Sequence, residues 1–386
     1  MKNKIAIASA FFAASSFATA EIVVNDFLSF EGFVDMSYVY NDGEFAGANE
    51  SENSFAIDQV EISWLFDFDP VTAQVDLQYE GADNDFGNGS IVEQAFATYH
   101  FADGSAITAG RYASMLGFEA FEPTGLYQYS VAYDLQIAAN ALLADGITTV
   151  EIIPDYAQGV KYTNETENTF FGISVQDEVF DVDGSRLGGD GDNNSVGGDG
   201  TYGIEAAYSV ALDNGLAWFL GGAWEEGEDG DSYIVNTYLT YETGAWIFAA
   251  ELNYGESEND SFAVGTIAPV LVQAFNDASG DFLSFTGDEE EVIQALLMAN
   301  YAYSDRASWT GRVSYVDHEL EGDAVLNGVE GSGSLELDAL KYTLAHGYAF
   351  TDNLFLVNEI SYVDGEIDDL DDFDSILFAT ELIFSF

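Results

Sequence analysis

The sequence predicts an all-β chain folded as a transmembrane antiparallel β-barrel of about sixteen strands, and three observations carry that reading. Apolar and polar residues alternate with period two in one segment after another. Short turns alternate with longer acidic or glycine-rich stretches. The stretch Phe373 to Phe386 reads as a strand with one apolar face, since Ile376, Phe378, Leu382, Phe384 and Phe386 share a parity. Ser375, Ala379, Glu381 and Ser385 share the other parity, with Leu377 and Ile383 as exceptions and Thr380 as a polar break in the apolar row. In water an unpaired apolar edge invites aggregation. A closed barrel pairs its last strand with its first and turns the apolar face to lipid.

The elements follow in chain order. Lys2 and Lys4 precede an apolar run from Ile5 to Phe17, and Ala18-Thr19-Ala20 supplies small residues for cleavage. Residues 1–20 therefore read as a removed signal peptide, with Glu21 as the mature start and residues 21–386 as one barrel domain. No later run reaches the roughly 18 apolar residues of a spanning helix. The first strand is expected over Phe27–Tyr40. Next, Val60, Ile62, Trp64, Phe66 and Phe68 oppose Gln59, Glu61, Ser63 and Asp67. In the following strand Val71, Ala73, Val75, Leu77 and Tyr79 oppose Thr72, Gln74, Asp76, Gln78 and Glu80. Similar dyads recur around Ile204, Phe248 and Val313.

Short turns are expected at Asp69-Pro70, Ala102–Ser105, Asn164–Asn168, Leu212–Gly215, Thr243–Ala245, Ser304–Ala307 and Thr351–Asn353. Between them lie the longer stretches 41–54, 81–90, 113–156, 178–200, 226–231, 256–291, 318–334 and 364–372. Short periplasmic turns and long outer loops are the rule for such barrels. These seven turns join fourteen strands, and the first and last make sixteen with both termini periplasmic. The stretch 113–156 is long enough to hold a further hairpin, which would make eighteen. Either number leaves an aqueous channel.

Composition narrows the function. Asp and Glu number 69 against 8 Lys and Arg, for a net charge of -61, which excludes nucleic acid as a partner. Such charge with few aromatics would suggest disorder, but 30 Phe, 22 Tyr and 5 Trp argue for a fold. The acidity suits a solvated surface in saline water. Without Cys, disulfides and thiolate metal sites do not arise.

On the polar parity the expected pore wall carries Glu31, Asp35, Glu61, Asp67, Asp76, Glu80, Glu205, Glu251, Glu359 and Glu381. Lys161, Arg312 and Lys341 take the same parity, while the face of Arg111 is left open by its neighbours. Each base is either a local counter-ion for crowded carboxylates or one wall of a constriction with a transverse field. In the second case Glu119, Glu122, Asp134 and Asp145 of the stretch 113–156 supply the opposite wall. The excess of acids predicts a preference for cations.

The C-terminal pattern resembles the terminal-Phe signal of bacterial outer-membrane barrels, which implies that Phe378, Leu382, Phe384 and Phe386 are read by the assembly machinery. The segment Glu93–Pro123 contains Gln94-Ala95, a glycine turn, Thr108-Ala109-Gly110-Arg111 and Gly117-Phe118-Glu119. It resembles the OmpL-like β-barrel porins of Gram-negative bacteria. That resemblance implies an outer-membrane location and passive diffusion of small hydrophilic solutes, with neither energy coupling nor a plug domain. It also implies lipid and lipopolysaccharide as surroundings and a homotrimer as the assembly.

Other signals are weaker. Gly188-Gly189-Asp190-Gly191-Asp192-Asn193 nearly matches a calcium-binding repeat but is not iterated, and it lacks the Gly and Glu of an EF-hand. Asp288-Glu289-Glu290-Glu291 reads as a solvated loop end. No cofactor is expected beyond weak divalent-cation binding at the acidic loops. Tyr79, Tyr99, Tyr241, Trp246, Tyr254, Tyr303 and Tyr362 fall near strand ends and read as interfacial girdles. A hydrolase would need a Ser–His pair; His100 and His346 lie near periplasmic strand ends, His318 falls in an expected loop, and no GxSxG elbow accompanies them. A structural or adhesive barrel with a sealed lumen is the remaining alternative.

Overall fold

The computed structural model describes residues 21–45, 48–80, 92–137, 147–150, 152–177, 179–180, 202–226, 230–258, 283–327, 329–367 and 371–386. The expected leader 1–20, Asp145 and the glycine-rich segment 188–193 lie outside them. A short β1 (Ile22–Asn25) pairs onto β2 (Leu28–Phe45). There follow β3 (Ala48–Asp67), β4 (Val71–Glu80), β5 (Val92–His100) and β6 (Ser105–Ala113). After a long inner segment come β9 (Tyr156–Glu165), β10 (Thr169–Gln176), β11 (Tyr202–Ala211), β12 (Leu216–Glu226), β13 (Asp231–Thr243) and β14 (Trp246–Ser257). The remaining strands are β15 (Leu283–Ser304), β16 (Ala307–Leu326), β17 (Val329–Thr351), β18 (Leu354–Ile367) and β19 (Asp371–Ser385).

Each wall strand pairs antiparallel with the next, β6 with β9, and β19 returns to β2, so sixteen strands close the barrel. The extra hairpin allowed for in 113–156 exists as β7 (Asp134–Ile137) and β8 (Ile147–Thr149), but it pairs only with itself. Sixteen, rather than eighteen, strands form the wall. At the closing seam the Gly32 amide donates to the Phe386 carbonyl at 2.8 Å, and the Phe386 amide donates back at 2.9 Å. A Cβ on Gly32 would lie 2.3 Å from the Glu61 carbonyl oxygen and 3.0 Å from the Phe386 ring, so this crossing admits glycine alone.

All seven expected short turns are present. Several expected loops, however, are strand. The described residues of 41–54, 318–334 and 364–372 and the end of 256–291 continue as paired strands. As a result β15, β16 and β17 run 22, 20 and 23 residues, and β2 and β3 run 18 and 20. Crossing a bilayer takes only about 9–11 residues. With β18 and β19, of 14 and 15 residues, between β17 and β2, these strands rise as a tall wall beyond the lipid on the side of the long connections.

The alternation in that wall is inverted, which is why composition alone reads it as loop. At membrane level the apolar side chains face out, as Phe378 and Phe384 do, while Glu381 and Ser385 are buried inward. Higher up, Asp317 stands opposite Asp338 and Asp338 opposite Glu366 on the outer face. Inward at the same height sit Val292, Val316, Leu337, Val363 and Ile367, all buried. His318 accordingly lies in β16, buried and 2.7 Å from Glu290, not in a loop. The run Asp288–Glu291 belongs to β15, with Glu290 inward and Glu289 and Glu291 exposed.

Candidate functional site

The chain between β6 and β9 leaves and rejoins adjacent strands, with the Ser114 amide donating to the Asp155 carbonyl at 2.9 Å across its base. From there it folds into the lumen. A backbone taken off the wall needs partners for its own amides and carbonyls. Inward side chains from around the barrel supply them, carboxylates accepting from loop amides and bases donating to loop carbonyls.

The acceptors come from four strands. Glu205 of β11 accepts from the Ser114 hydroxyl and the Met115 amide, both at 2.7 Å. Asn236 of β13 accepts from Gly117 at 3.1 Å. Glu251 of β14 accepts from the Phe118 amide at 2.8 Å and the Tyr133 hydroxyl at 3.0 Å. Glu359 of β18 accepts from the Tyr129 and Ser130 amides at 2.8 and 3.0 Å, and from the Ser130 hydroxyl at 2.5 Å.

The donors complete the frame. Arg312 of β16 meets Glu119 at 2.5 Å and donates to the carbonyls of Ser130 and Val131 at 2.8 and 3.0 Å. Lys341 of β17 donates to the carbonyls of Val131 and Asp134 at 2.9 and 2.6 Å. These two side chains are among the most deeply buried, at 2% and 1% exposure. Lys161 of β9 donates to the Ala113 carbonyl at 3.3 Å and lies 4.2 Å over the Tyr112 ring. Arg111 also turns inward, with Nε donating to the Glu93 carbonyl at 2.8 Å and its guanidinium 5.1 Å over Tyr156. Gly110 has φ +133°, and after it both Arg111 and Tyr112 are buried, so parity could not assign this face.

The expected acids separate into groups. Glu205, Glu251 and Glu359 hold the loop from the wall, and Glu119, on the loop, pairs with Arg312. Glu122, on the loop itself, accepts from the Gln59 amide at 2.8 Å, and burial beside Glu61 and Glu93 pushes its carboxyl well above the usual range. Asp35, Asp76 and Glu381 are buried on the inward face, Glu31 is half-buried, and Asp76 accepts from Gln74 and Gln94 at 2.8 Å. Asp134 contributes its main-chain carbonyl to Lys341. Asp67 departs from the pore wall: it is exposed and accepts from the Asp69 amide at 3.1 Å in the short turn after β3. The side chain of Glu80 lies outside the described residues.

Two parts of the site escape a search for charges. Uncharged amides share the work, including Asn236, Gln59 and Gln294, the last donating to the Val150 carbonyl. Leu116, Phe118, Leu135, Val150 and Ile152 also form an apolar cluster against inward Phe219, Ile234, Leu296 and Leu337. Leu377 and Ile383, the exceptions to the dyad of the last strand, are likewise buried inward.

Among the described residues the histidines do not pair with a serine. His100 bonds Thr72 at 2.8 Å, His318 bonds Glu290 at 2.7 Å, and His346 bonds Tyr303 at 2.7 Å. Outward aromatics line the rims, as in the Trp246–Tyr301 stack at 4.5 Å.

Solved structures share this architecture. The outer membrane channel DcaP of Acinetobacter baumannii aligns with TM-score 0.58 and 11% identity over 93% of this chain and 97% of that one. OmpT of Vibrio cholerae aligns with TM-score 0.56 and 10% identity over 95% and 100%. Salmonella typhi OmpF aligns with TM-score 0.54 and 16% identity over 95% and 100%. At these identities the likeness is one of fold. No curated protein matches the chain by sequence. The family described as "Putative beta-barrel porin-2, OmpL-like" matches residues 28–386, so the chain belongs to that porin family and resides in the outer membrane.

Proposed function

We propose that the barrel is a porin through which small hydrophilic solutes and ions, cations in preference, diffuse passively past the inner loop 114–155. The observation that carries this reading is the loop itself, narrowing the lumen while tied to Glu205, Glu251, Arg312, Lys341 and Glu359. A bore narrowed by a fixed loop selects by size and field and needs no energy source. The charge balance supports the cation preference. Arg312 and Lys341 direct their donors at Glu119 and at loop carbonyls, whereas acids such as Asp364 and Asp374 stay exposed at the rim. A mouth of one sign concentrates the opposite ion.

The test is single-channel recording in planar bilayers, with the reversal potential measured across a KCl gradient at low salt. Cation-selective conductance is expected, and anion selectivity would overturn the preference. A second reading has its own support: the apolar packing of Leu116, Phe118 and Leu135 against the wall favours a lumen sealed by its loop. That reading expects inserted, folded barrels that pass no current.

In the porin reading the barrel assembles as a homotrimer, an expectation supported by the trimer form of Vibrio cholerae OmpT. Light scattering of the detergent-extracted protein gives its mass directly. Its partners are then outer-leaflet lipid and lipopolysaccharide, together with the assembly machinery that reads Phe378, Leu382, Phe384 and Phe386. Residues 1–20 are removed on export, which N-terminal sequencing of the membrane form checks.

A further inference from the structure

Glu119 and Glu122 lie on the same limb of the inner loop, yet the wall receives them differently. Glu119 meets Arg312 at 2.5 Å. Glu122 meets two more carboxylates, Glu61 of β3 and Glu93 of β5. One oxygen from each of the three lies within 4.8 Å of the others. Oxygens sharing one Ca²⁺ at its usual bond lengths lie at most about 5 Å apart, so the spacing is that of a ligand set.

Each carboxylate is also held in place by a donor on one of its oxygens. The Ser63 hydroxyl donates to Glu61 Oε1 at 2.7 Å, the Gln59 amide to Glu122 Oε2 at 2.8 Å, and the Tyr156 hydroxyl to Glu93 Oε1. Such outer partners orient ligands in metal sites. The second oxygen of Glu61 is the independent sign. Glu61 is 6% exposed, and its Oε2 has no hydrogen-bond partner among the described residues. A buried acceptor crowded by two further carboxyl groups is costly, and a cation shared by the three relieves that crowding. Arg111 donates from Nε to the Glu93 main-chain carbonyl, and buried Asp76 adds a further acid to this part of the wall.

We propose that Glu61, Glu93 and Glu122 bind a divalent cation, Ca²⁺ in preference to Mg²⁺, which fastens the inner loop to β3 and β5. All-carboxylate donors are hard ligands, and an irregular three-carboxylate set with lumenal water suits calcium better than the strict octahedron magnesium demands. The ion is the counterpart of the Arg312–Glu119 pair, which holds the same limb from β16. The site stands whether or not the lumen conducts.

The test is calorimetric titration of the full-length barrel in detergent, stripped of metal, with CaCl₂ in 0.3 M KCl to screen the acidic rim. The parent is expected to show one saturable site per chain. Glu122→Gln and Glu61→Gln should each weaken it at least tenfold, and Glu289→Gln, on the exposed face of β15, should leave it unchanged. A chelator should lower the unfolding temperature of the parent but not of Glu122→Gln. Should Glu61→Gln fail to fold, the loop variant Glu122→Gln decides alone. Saturable binding that persists in Glu122→Gln, or a parent that binds calcium only weakly and without saturation, would overturn the proposal.

Discussion

Arg312 has no exposed side-chain surface and holds three loop groups, Glu119 and the carbonyls of Ser130 and Val131. Removing one partner of a buried ion pair costs about 3–5 kcal/mol, because the other charge is left uncompensated. Arg312→Ser is therefore expected to lower the unfolding temperature, read from heat-modifiable migration, and to raise both conductance and cation preference. A variant that is less stable but conducts and selects like the parent would reduce Arg312 to a counter-ion. At the seam, Gly32→Ala drives a Cβ against the Glu61 carbonyl and should reduce the yield of closed barrel on refolding. On the lipid face, Phe384→Asp places a charge where lipid is expected, a change worth a few kcal/mol near the bilayer centre and less toward the rim. Lower outer-membrane abundance is expected; unchanged abundance would count against Phe384 as part of an assembly signal.

Two elements carry what the strands by themselves do not. The described residues of the inner loop are held by wall side chains, so shortening it between residues 128 and 135 removes the Glu359 and Lys341 contacts together. Conductance should then rise clearly; normal insertion with unchanged conductance would show that this limb does not limit the bore. The tall β16–β17 hairpin behaves differently. Its upper part, beyond the roughly 9–11 residues needed to cross the bilayer, is dispensable for spanning. Trimming residues 322–333 should leave a folded barrel with a weaker cation preference at low salt, measured by reversal potential.

At the scale of the whole molecule the excess of acid acts as a field rather than as a set of pairs. The outer face of the tall wall sets Asp317 opposite Asp338 and Glu319 opposite Glu336, an arrangement that repels across the ladder. Tyr315 relieves part of it by donating to Asp338 at 2.6 Å and to Asp317 at 3.2 Å. Screening relieves the rest: the Debye length falls from about 10 Å at 0.1 M salt to about 3 Å at 1 M. Cation preference should therefore decline steadily with KCl concentration. A preference independent of salt would locate selectivity at close contacts in the constriction instead of at the mouth.

The sequence by itself determined the barrel, its seven short turns, the outward face of Phe378 and Phe384, and the inward face of Lys161, Arg312 and Lys341. Each of these is a period-two or turn signal, legible within a few residues because a strand sends neighbouring side chains to opposite faces. Tertiary structure alone decided that the described parts of 113–156 lie inside, that the β7–β8 hairpin stays out of the wall, and that the described residues of the acidic stretches 41–54 and 318–334 are paired strand. It also decided the face of Arg111, where Gly110 interrupts the parity. The reason is separation along the chain: Glu119 and Arg312 meet across 193 residues, and Ser130 and Glu359 across 229. Where the loop packs against the wall, inward positions of the tall strands bury apolar side chains and leave the acids outside, reversing the alternation from which the strands would have been read.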